Sequence, residues 1–363
     1  MKIRKPTLII DVEKTTRNIN RMKEKVSASG IRFRPHFKTH QSSLTGEWFR
    51  KAGVTAITVS SVDMALYFAR HGWTDITIGV LVNPLEIDAL NELARGRPPQ
   101  FKKVALGLLV DTAEMVTFLQ KNLEHRAKAW IKIDTGYHRT GIEWDREDEI
   151  FGVAKAINDS PTLFFGGLLS HSGQSYNAAS TAEIRDIYEE TVTRMNGIRD
   201  FLKKKGIEGL DISIGDTPTC SVVEKFHGID EVRNGNFVYY DLMQLALGTC
   251  TEEDIAAAVA CPVIGVYPRR NEIVVYGGAV HLSKEFITDN QGRKIFGMAA
   301  LPGKTFDKWG GFLDDTYVSS LSQEHGVIKT TGAVIRRVKV GDILMILPVH
   351  SCLAVNLLKE IKK

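Results

Sequence analysis

Short apolar runs rich in β-branched residues alternate with longer amphipathic segments between residues 31 and 239. Apolar runs bounded by polar turns are typical of buried strands, and apolar positions at helical spacing indicate helices packed on a sheet. Eight such strands alternating with helices predict an α/β fold, the (β/α)8 barrel of the TIM type, because the rival doubly wound sheet usually has fewer strands. The predicted strands cover residues 31–35, 55–59, 76–80, 104–110, 129–134, 163–170, 210–214 and 232–239. The predicted helices cover residues 46–52, 63–71, 84–94, 113–124, 147–158 and 182–205.

The alternation stops near residue 248, and the later segments have strand-like patterns without helices between them. Residues 340–342 fit this pattern as a turn. We therefore predict a barrel domain over residues 14–248 and an all-β C-terminal domain over residues 249–363. Residues 1–13 are assigned to the β domain, because their strand precedes the barrel and can pair with that domain. The predicted strands of this part cover residues 7–11, 256–266, 272–276, 332–338 and 343–347.

The composition is that of an ordinary soluble globular protein, with 43% hydrophobic and 25% charged residues. The net charge of +4 is small for 363 residues, so we expect neither nucleic acid nor a membrane as a partner. None of the four cysteines lies in a Cys-x-x-Cys pair, which is typical of a reducing compartment. The apolar run at residues 8–10 is too short for the core of a signal peptide. We therefore expect a cytoplasmic protein.

A lysine follows the first predicted barrel strand. The active site of a (β/α)8 barrel lies at the carboxyl ends of its strands, so reactive residues there are candidates for catalysis. Lys38 stands there between aromatic and histidine residues, in the segment PHFKTH at residues 35–40. Partial burial would favour its neutral amine, which is the form that attacks an aldehyde. A lone lysine is more often a surface residue, so the interpretation depends on its surroundings.

Polar segments follow the fifth, sixth and seventh predicted strands, and a fourth lies within the eighth predicted strand. Glycines in these loops allow backbone N–H groups to converge, and threonine hydroxyls add donors. The loops after the seventh and eighth strands form the usual phosphate site of such barrels. Each loop alone could be an ordinary connection, but their joint placement indicates one site. The loops cover residues 134–141, 170–176, 213–219 and 233–237.

A histidine and a cysteine stand two residues apart near the C-terminus, at His350 and Cys352. In an extended chain both side chains would point to the same face. Imidazole nitrogen and thiolate sulfur together suit Zn²⁺, and two protein ligands would leave positions open for water or substrate. A packed histidine beside a buried cysteine is the alternative for so short a motif.

Taken together, these segments resemble the D-serine dehydratase and D-threonine aldolase family of fold type III pyridoxal-phosphate enzymes, and more distantly alanine racemase. The resemblance covers nearly the whole chain. Its most specific motifs are residues 35–40, 134–139, 215–219, 324–326 and the pair His350 and Cys352.

The resemblance implies a covalent cofactor, pyridoxal 5'-phosphate, carried on the amine of Lys38. Arg139 would face the phenolic oxygen of the cofactor, and His171 would pack on its pyridine ring. Tyr176 is a candidate partner for the ring nitrogen. The residues that would hold the phosphate are Gly215, Thr217, Gly235 and Asn236.

The resemblance also implies a divalent metal bound by His350 and Cys352, with zinc favoured and manganese possible. It implies a homodimer in which the β domain of one subunit closes the barrel of the other. The chain departs from the family at residues 233–237, where the family has proline before the glycine and tyrosine at the end of the motif.

Two reactions of a small D-3-hydroxy amino acid are open. In dehydration, Lys38 removes the Cα proton and the 3-hydroxyl group leaves with the help of the metal, which gives a 2-oxo acid and ammonia. In retro-aldol cleavage, a base such as His171 takes the hydroxyl proton, and glycine and an aldehyde form. Within the family, His-x-Cys resembles the zinc-dependent dehydratases and His-x-Asp the aldolases, in agreement with ligand softness. Cys352 therefore favours D-serine dehydratase-type elimination, with D-threonine aldolase-type cleavage as the alternative.

Two further functions remain as alternatives. An amino-acid racemase of this fold needs a second base, for which Tyr317 is the candidate, but racemisation would leave the metal ligands unexplained. Related single-domain barrels bind pyridoxal phosphate without catalysis, but they lack a C-terminal β domain.

Overall fold

The computed structural model describes residues 3–305 and 307–359. The chain divides into two compact units. One, the barrel unit, comprises Asn20–Gly235, and the other, the β unit, comprises the described residues up to Ile19 and from Asn236 onward. Strand β1 (Thr7–Ile10) opens the chain, and helix α1 (Val12–Ala28) runs across the division between the units.

The barrel unit contains a ring of parallel strands, which confirms the (β/α)8 barrel. The order is β2-β10-β9-β8-β6-β5-β4-β3, and a parallel bridge between His36 and Thr58 closes the ring. Strand β7 (Ile142–Glu143) pairs with β6 outside the ring. The ring strands are β2 (Arg32–Phe33), β3 (Ile57–Val59), β4 (Asp75–Leu81), β5 (Ala105–Val110), β6 (Ala127–Asp134), β8 (Leu163–Ser170), β9 (Asp211–Ile214) and β10 (Glu231–Val232).

Helices follow the barrel strands, and five of the seven described begin at a residue whose side chain accepts a capping hydrogen bond. The hydroxyl of Ser61 accepts a hydrogen bond from the backbone N–H of Met64 at 3.1 Å, and Ser180 does the same for Glu183 at 3.2 Å. Such caps satisfy N–H groups that have no partner inside the helix. The helices are α2 (Ser43–Lys51), α3 (Val62–Arg70), α4 (Ile87–Arg95), α5 (Ala113–Asn122), α6 (Glu147–Asn158), α7 (Thr181–Lys204) and α8 (Thr217–Val222).

The β unit is built on an antiparallel sheet, which confirms the predicted C-terminal β domain. Its order is β11-β12-β17-β16-β15-β18, and pairing of β18 with β11 closes the sheet on itself. Strand β1 pairs antiparallel with β11, as predicted for the N-terminal strand. The strands are β11 (Ala257–Tyr267), β12 (Glu272–Tyr276), β15 (Gly297–Pro302), β16 (Trp309–Leu321), β17 (His325–Lys329) and β18 (Ile343–Pro348), with a separate hairpin of β13 (Ile287–Thr288) and β14 (Lys294–Ile295).

The predicted strand at residues 332–338 is wrong. This segment begins with helix α11 (Gly332–Ile335), whose N-cap Thr331 accepts a hydrogen bond from the backbone N–H of Val334 at 3.3 Å. The buried residues Val334, Ile335 and Val338 repeat at helical spacing and pack into the core of the β unit. The other helices of this unit are α9 (Leu242–Ala246), α10 (Ala279–Leu282) and α12 (Ser351–Leu358). Among the helices described, none has the length and hydropathy that a membrane span requires.

Candidate active site

The segment that carries Lys38 is fixed between two barrel strands. The backbone N–H of His36 donates to Asn234 O at 3.0 Å, and that of Phe37 donates to Thr58 O at 2.8 Å. Phe37 is fully buried, whereas the Lys38 side chain is exposed. The expectation of a partly buried Lys38 is therefore wrong, because its apolar neighbour takes the inward position. The backbone N–H of Lys38 donates to His36 Nδ1 at 3.3 Å, which holds the lysine at the end of the strand.

Two predicted phosphate-binding glycines lie where backbones approach closely. A Cβ at residue 235 would lie 2.7 Å from His36 O, and a Cβ at residue 215 would lie 2.7 Å from the carbonyl carbon of Arg233. Both distances are well below van der Waals contact, so only glycine fits either position. The loops after β9 and β10 are therefore packed against the lysine segment and against each other.

The Asp134 carboxylate organises the loop that carries Arg139. Its Oδ1 accepts hydrogen bonds from the backbone N–H groups of Gly136, Tyr137 and His138 at 2.9, 2.9 and 3.1 Å. Despite the opposing effect of burial, these bonds lower the pKa of Asp134, because they stabilise its charged form. The exposed Arg139 guanidinium lies over the Tyr137 ring at 5.1 Å from its centroid.

His171 lies among cationic groups of the same unit. Its Nδ1 donates to Gly215 O at 2.6 Å, and since a carbonyl oxygen only accepts, the ring proton lies on Nδ1. Burial, followed by the charges of Lys38 and Arg139, lowers the pKa of His171 to about 3, although the bond to Gly215 opposes the shift. The ring is therefore neutral at physiological pH, with a lone pair on Nε2. The structure thus brings Lys38, Arg139 and His171 together.

Tyr176 and Thr217 complete this group. The backbone N–H of Thr217 donates to Tyr176 Oη at 3.3 Å, and the rings of Tyr176 and His171 lie 6.4 Å apart. Thr217 is buried, and its hydroxyl has no hydrogen-bond partner within the described residues. A buried hydroxyl needs a partner, and a phosphate oxygen, an acceptor, suits it. The donor chemistry of this loop therefore fits a phosphate group.

Sequence reasoning missed Lys132 on β6. Its Nζ donates to Ile133 O at 2.8 Å, and burial, followed by the charge of Arg233, lowers its pKa to about 7. Its charge also contributes to lowering the pKa of His171. A charged residue between the apolar residues Ile131 and Ile133 of a buried strand was the signal that could have found it.

His350 and Cys352 lie at the start of α12, not in an extended strand as expected. His350 is the N-cap residue of the helix, and Cys352 lies in its first turn. The two side chains are nevertheless hydrogen-bonded to each other. Burial favours neutral imidazole, but Cys352, Asp241 and Glu285 together raise the pKa of His350 to about 9.

The donor chemistry of this pair fits a borderline-soft divalent metal, because imidazole nitrogen and thiolate sulfur are adjacent. Within residues 3–305 and 307–359, no group of three or more His, Cys, Asp or Glu side chains is arranged to hold a metal. A metal on this pair would therefore take its other ligands from elsewhere, such as water or substrate.

Asn236, predicted to bind phosphate, lies in the β unit beside this pair. Its Nδ2 donates to Asp241 Oδ2 at 2.6 Å, to Ser351 Oγ at 3.1 Å and to Cys352 Sγ at 3.6 Å. Its side-chain N–H groups are thus directed to protein atoms.

A (β/α)8 barrel with a lysine at the end of its first strand, followed by an antiparallel β domain, defines the alanine racemase-like class. The family model described as alanine racemase, N-terminal domain matches residues 10–242, and the model described as putative serine dehydratase domain matches residues 256–362. The chain therefore belongs to the alanine racemase N-terminal domain family, in the form that carries a serine dehydratase domain. The family expected from the motifs is confirmed.

Curated relatives cover nearly the whole chain. D-threo-3-hydroxyaspartate dehydratase of Delftia sp. (strain HT23) is 30% identical, over 96% of this chain and 90% of that protein. D-serine dehydratase of Dictyostelium discoideum is 27% identical, over 94% of this chain and 89% of that protein. 3-Hydroxy-D-aspartate aldolase of Paracoccus denitrificans (strain Pd 1222) is 22% identical, over 96% of this chain and 85% of that protein. The relatives thus include both dehydratases and aldolases.

The solved structure of the Delftia enzyme superposes on this chain with a TM-score of 0.88 at 28% identity, covering 98% of this chain and 93% of that one. The structure of a cysteine-to-alanine mutant of D-threo-3-hydroxyaspartate dehydratase is described as being in the metal-free form. It superposes with a TM-score of 0.88 at 27% identity, covering 98% of this chain and 93% of that one.

Proposed function

We propose that the chain is a pyridoxal-phosphate-dependent, metal-assisted lyase that eliminates the 3-hydroxyl of a D-3-hydroxy amino acid as water. Hydrolysis of the resulting enamine takes up one water and releases ammonia, so the net products are a 2-oxo acid and ammonia. The observation that carries this proposal is the contact between His350 and Cys352, which offers one nitrogen and one sulfur donor. The relatives that are dehydratases of D-3-hydroxy amino acids support the reaction class.

The residues proposed to hold the cofactor lie in the barrel unit, except Asn236. Lys38 would carry it, Arg139 would bind its phenolic oxygen, and Tyr176 is the candidate for the ring nitrogen. Pyridoxal phosphate, when bound, stabilises the electron density that is left at Cα after proton removal. The phosphate is proposed to be bound by Gly215, Thr217 and Gly235, with the backbone of Asn236.

Proton transfer at Cα is proposed for Lys38. Its exposed side chain is anchored through the backbone to His36 and can reach a substrate atom from the strand end. A divalent metal on His350 and Cys352, with zinc favoured and manganese as the alternative, acts as a Lewis acid when bound and makes the 3-hydroxyl a better leaving group.

Dehydration is favoured over retro-aldol cleavage by the state of His171. Cleavage needs a base that takes the hydroxyl proton, and efficient bases have a pKa near the working pH. The pKa of His171 lies at about 3, so the residue is a poor proton acceptor. We assign His171 to packing on the cofactor ring. The aldolase relatives keep retro-aldol cleavage as the second candidate.

Racemisation is disfavoured by the surroundings of Tyr317. The ring is buried, and the Arg293 guanidinium lies 4.8 Å from its centroid. A side chain in this setting is poorly placed to exchange protons with a substrate.

The proposed assembly and location follow the sequence expectation. We propose a homodimer, as the family resemblance implies. A cytoplasmic location is supported by the cysteines, since no disulfide joins Cys220, Cys250, Cys261 or Cys352 within the part of the chain that the structure describes.

Removal of the metal tests the proposal. Treatment of the holoenzyme with EDTA should abolish ammonia release from D-serine, and Zn²⁺ should restore it, while the cofactor absorbance stays unchanged. Full ammonia release from protein shown by elemental analysis to be metal-free would refute metal assistance. Retained cofactor without any turnover, with or without metal, would instead indicate a cofactor-binding protein.

A further inference from the structure

One carboxylate caps the N-termini of two helices in the β unit. Asp241 Oδ1 accepts a hydrogen bond from the backbone N–H of Gln244 in α9 at 3.1 Å. Its Oδ2 accepts from the backbone N–H of Ser351, the first residue of α12, at 2.9 Å. The N-cap residue of α12, His350, makes no side-chain capping bond, so Asp241 supplies from another segment the acceptor that this helix end needs.

The same oxygen also fixes two side chains. Asp241 Oδ2 accepts from Asn236 Nδ2 at 2.6 Å and from Ser351 Oγ at 3.2 Å. Asp241, Asn236 and Ser351 are all buried, so these bonds are shielded from water. The orientation of the Asn236 amide is determined by this contact, because only its nitrogen can face a carboxylate.

The Asn236 amide reaches the sulfur of the proposed metal pair. Its Nδ2 lies 3.6 Å from Cys352 Sγ, a normal distance for an N–H···S hydrogen bond. Asp241 therefore holds two residues of the short segment from His350 to Cys352: it binds Ser351 at the helix start directly, and it reaches Cys352 through Asn236.

We propose that Asp241 is a positioning residue for metal binding, and that Asn236 is the donor through which it orients the Cys352 sulfur. This inference rests on the proposed metal site. Four donors from Gln244, Asn236 and Ser351 already occupy the two oxygens of Asp241, so the carboxylate acts by holding the ligands and not by binding the metal.

Loss of these contacts should lower the affinity for the metal and change the properties of Cys352 as a ligand. Partners that orient metal ligands are typically worth about 10- to 100-fold in metal affinity. An N–H donor on the sulfur withdraws electron density from it, so loss of the donor should also change how strongly the thiolate transfers charge to the metal.

Cobalt(II) is a suitable probe, because its complex with a thiolate has a charge-transfer absorption band that reports the Co–S bond. In the wild-type holoenzyme stripped of metal, Co²⁺ should produce this band, and Cys352→Ala should abolish it. Asp241→Asn places an amide N–H against the donors of Asn236 and Ser351. It should weaken Co²⁺ binding by about 10- to 100-fold and shift the band.

Asn236→Ala tests the contact between Asn236 and the Cys352 sulfur, and it disturbs the start of α12 less than Asp241→Asn does. It should shift the charge-transfer band while the protein remains folded. Asp254→Asn is the matched control, since Asp254 is also buried in the β unit and accepts bonds from the backbone N–H and hydroxyl of Thr251 at 2.9 and 3.0 Å. This control should bind Co²⁺ with wild-type affinity and spectrum.

The outcomes separate the two proposals. A wild-type protein without the band, or with a band that survives Cys352→Ala, would overturn the proposed metal site and the role of Asp241 with it. A wild-type band that depends on Cys352 but is unchanged in affinity and position in Asp241→Asn and Asn236→Ala would overturn only the positioning role. Equal losses of Co²⁺ affinity in Asp241→Asn and Asp254→Asn would also overturn the positioning role, because the effect would then come from general damage to the β unit.

Discussion

Single side chains in the barrel unit have pKa values far from their ordinary range because the interior excludes water. Lys132, His171 and Asp216 are the main cases, with pKa values of about 7, 3 and 6, and burial is the largest cause for each. Sequence reasoning found His171 from its place at a strand end, but it passed over Lys132. The pattern of a strand shows that a lysine interrupts it, but not that three-dimensional neighbours remove water from the amine.

The buried Lys132 predicts a specific pH dependence of stability. Its pKa is lowered from 10.5 to about 7, so between these values the unfolded chain binds more protons than the folded one. Its contribution to the free energy of unfolding therefore rises with pH through this window. Lys132→Met should be more stable than wild type below pH 7, and the gain should shrink towards pH 10. Urea unfolding across this range measures it.

Lys121→Met is the control for this prediction, because it removes the same charge from an exposed position on α5. The free energy of unfolding of Lys121→Met, plotted against pH, should run parallel to that of the wild type. If the plot of unfolding free energy against pH for Lys132→Met is also parallel to that of the wild type, the amine of Lys132 keeps its proton when buried.

The ligand type at position 352 should determine which metal the proposed site prefers. Replacement of the thiolate by a carboxylate makes the pair harder, and harder ligands favour manganese over zinc. Cys352→Asp should therefore shift the metal that restores activity to the EDTA-treated enzyme from Zn²⁺ towards Mn²⁺, whereas Cys352→Ala should lose restoration by both. Unchanged selectivity in Cys352→Asp would contradict the argument from ligand type.

At the level of the elements, the sequence predicted the barrel strands and most of their helices, because parallel strands buried on both faces are apolar throughout. It missed α1, whose buried face mixes the apolar Ile19, Met22 and Val26 with the polar Thr15 and Asn18. Thr15 Oγ1 donates to Asp11 O at 2.7 Å and Asn18 Nδ2 to Asp254 O at 2.8 Å, so these polar groups are satisfied by contacts that the sequence does not reveal.

The motif at the start of α12 shows the same limit at the candidate site. Spacing alone placed His350 and Cys352 on one face of a strand, whereas a helix start brings them together. The capping carboxylate, Asp241, lies more than a hundred residues away in sequence. The sequence therefore supplied the proposed ligand pair, but neither its local conformation nor the residues that hold it in place.

Close backbone packing at Gly215 gives a prediction for the loop after β9. A Cβ there would lie 2.7 to 2.9 Å from three backbone atoms of Arg233, which cannot move aside as a side chain can. Gly215→Ala should cost about 1 to 3 kcal/mol in the free energy of unfolding and weaken cofactor binding. Urea unfolding and titration with pyridoxal phosphate measure these effects.

Gly197→Ala is the matched control, since Gly197 lies inside α7 and a Cβ there would meet no atom within 4 Å. It should stabilise the protein by about 0.5 to 1 kcal/mol and leave cofactor binding unchanged. Wild-type stability and cofactor affinity in Gly215→Ala would show that the loop has room to relax.

At the level of the whole molecule, the chain joins two units that supply different chemistry. The barrel unit brings together a lysine, an arginine, a neutral histidine and an orphaned threonine hydroxyl, which fit an anionic aldehyde cofactor. The β unit presents an imidazole and a thiol in contact, held by a carboxylate and an amide. The family and the curated relatives connect this combination with lyases of D-3-hydroxy amino acids, and the nature of the proposed second ligand, Cys352, favours dehydration within that class.

A product assay tests the central claim most directly. The purified protein would be supplied with pyridoxal phosphate and with Zn²⁺ or Mn²⁺ separately, and given D-serine, D-threonine and D-3-hydroxyaspartate. Ammonia with 2-oxo acids, and glycine with aldehydes, would be quantified in each reaction. The account predicts ammonia and a 2-oxo acid in equal amounts, with Zn²⁺ as the better metal. Glycine and an aldehyde as the main products would contradict it, and would show that the residue at position 352 does not decide between the two reactions.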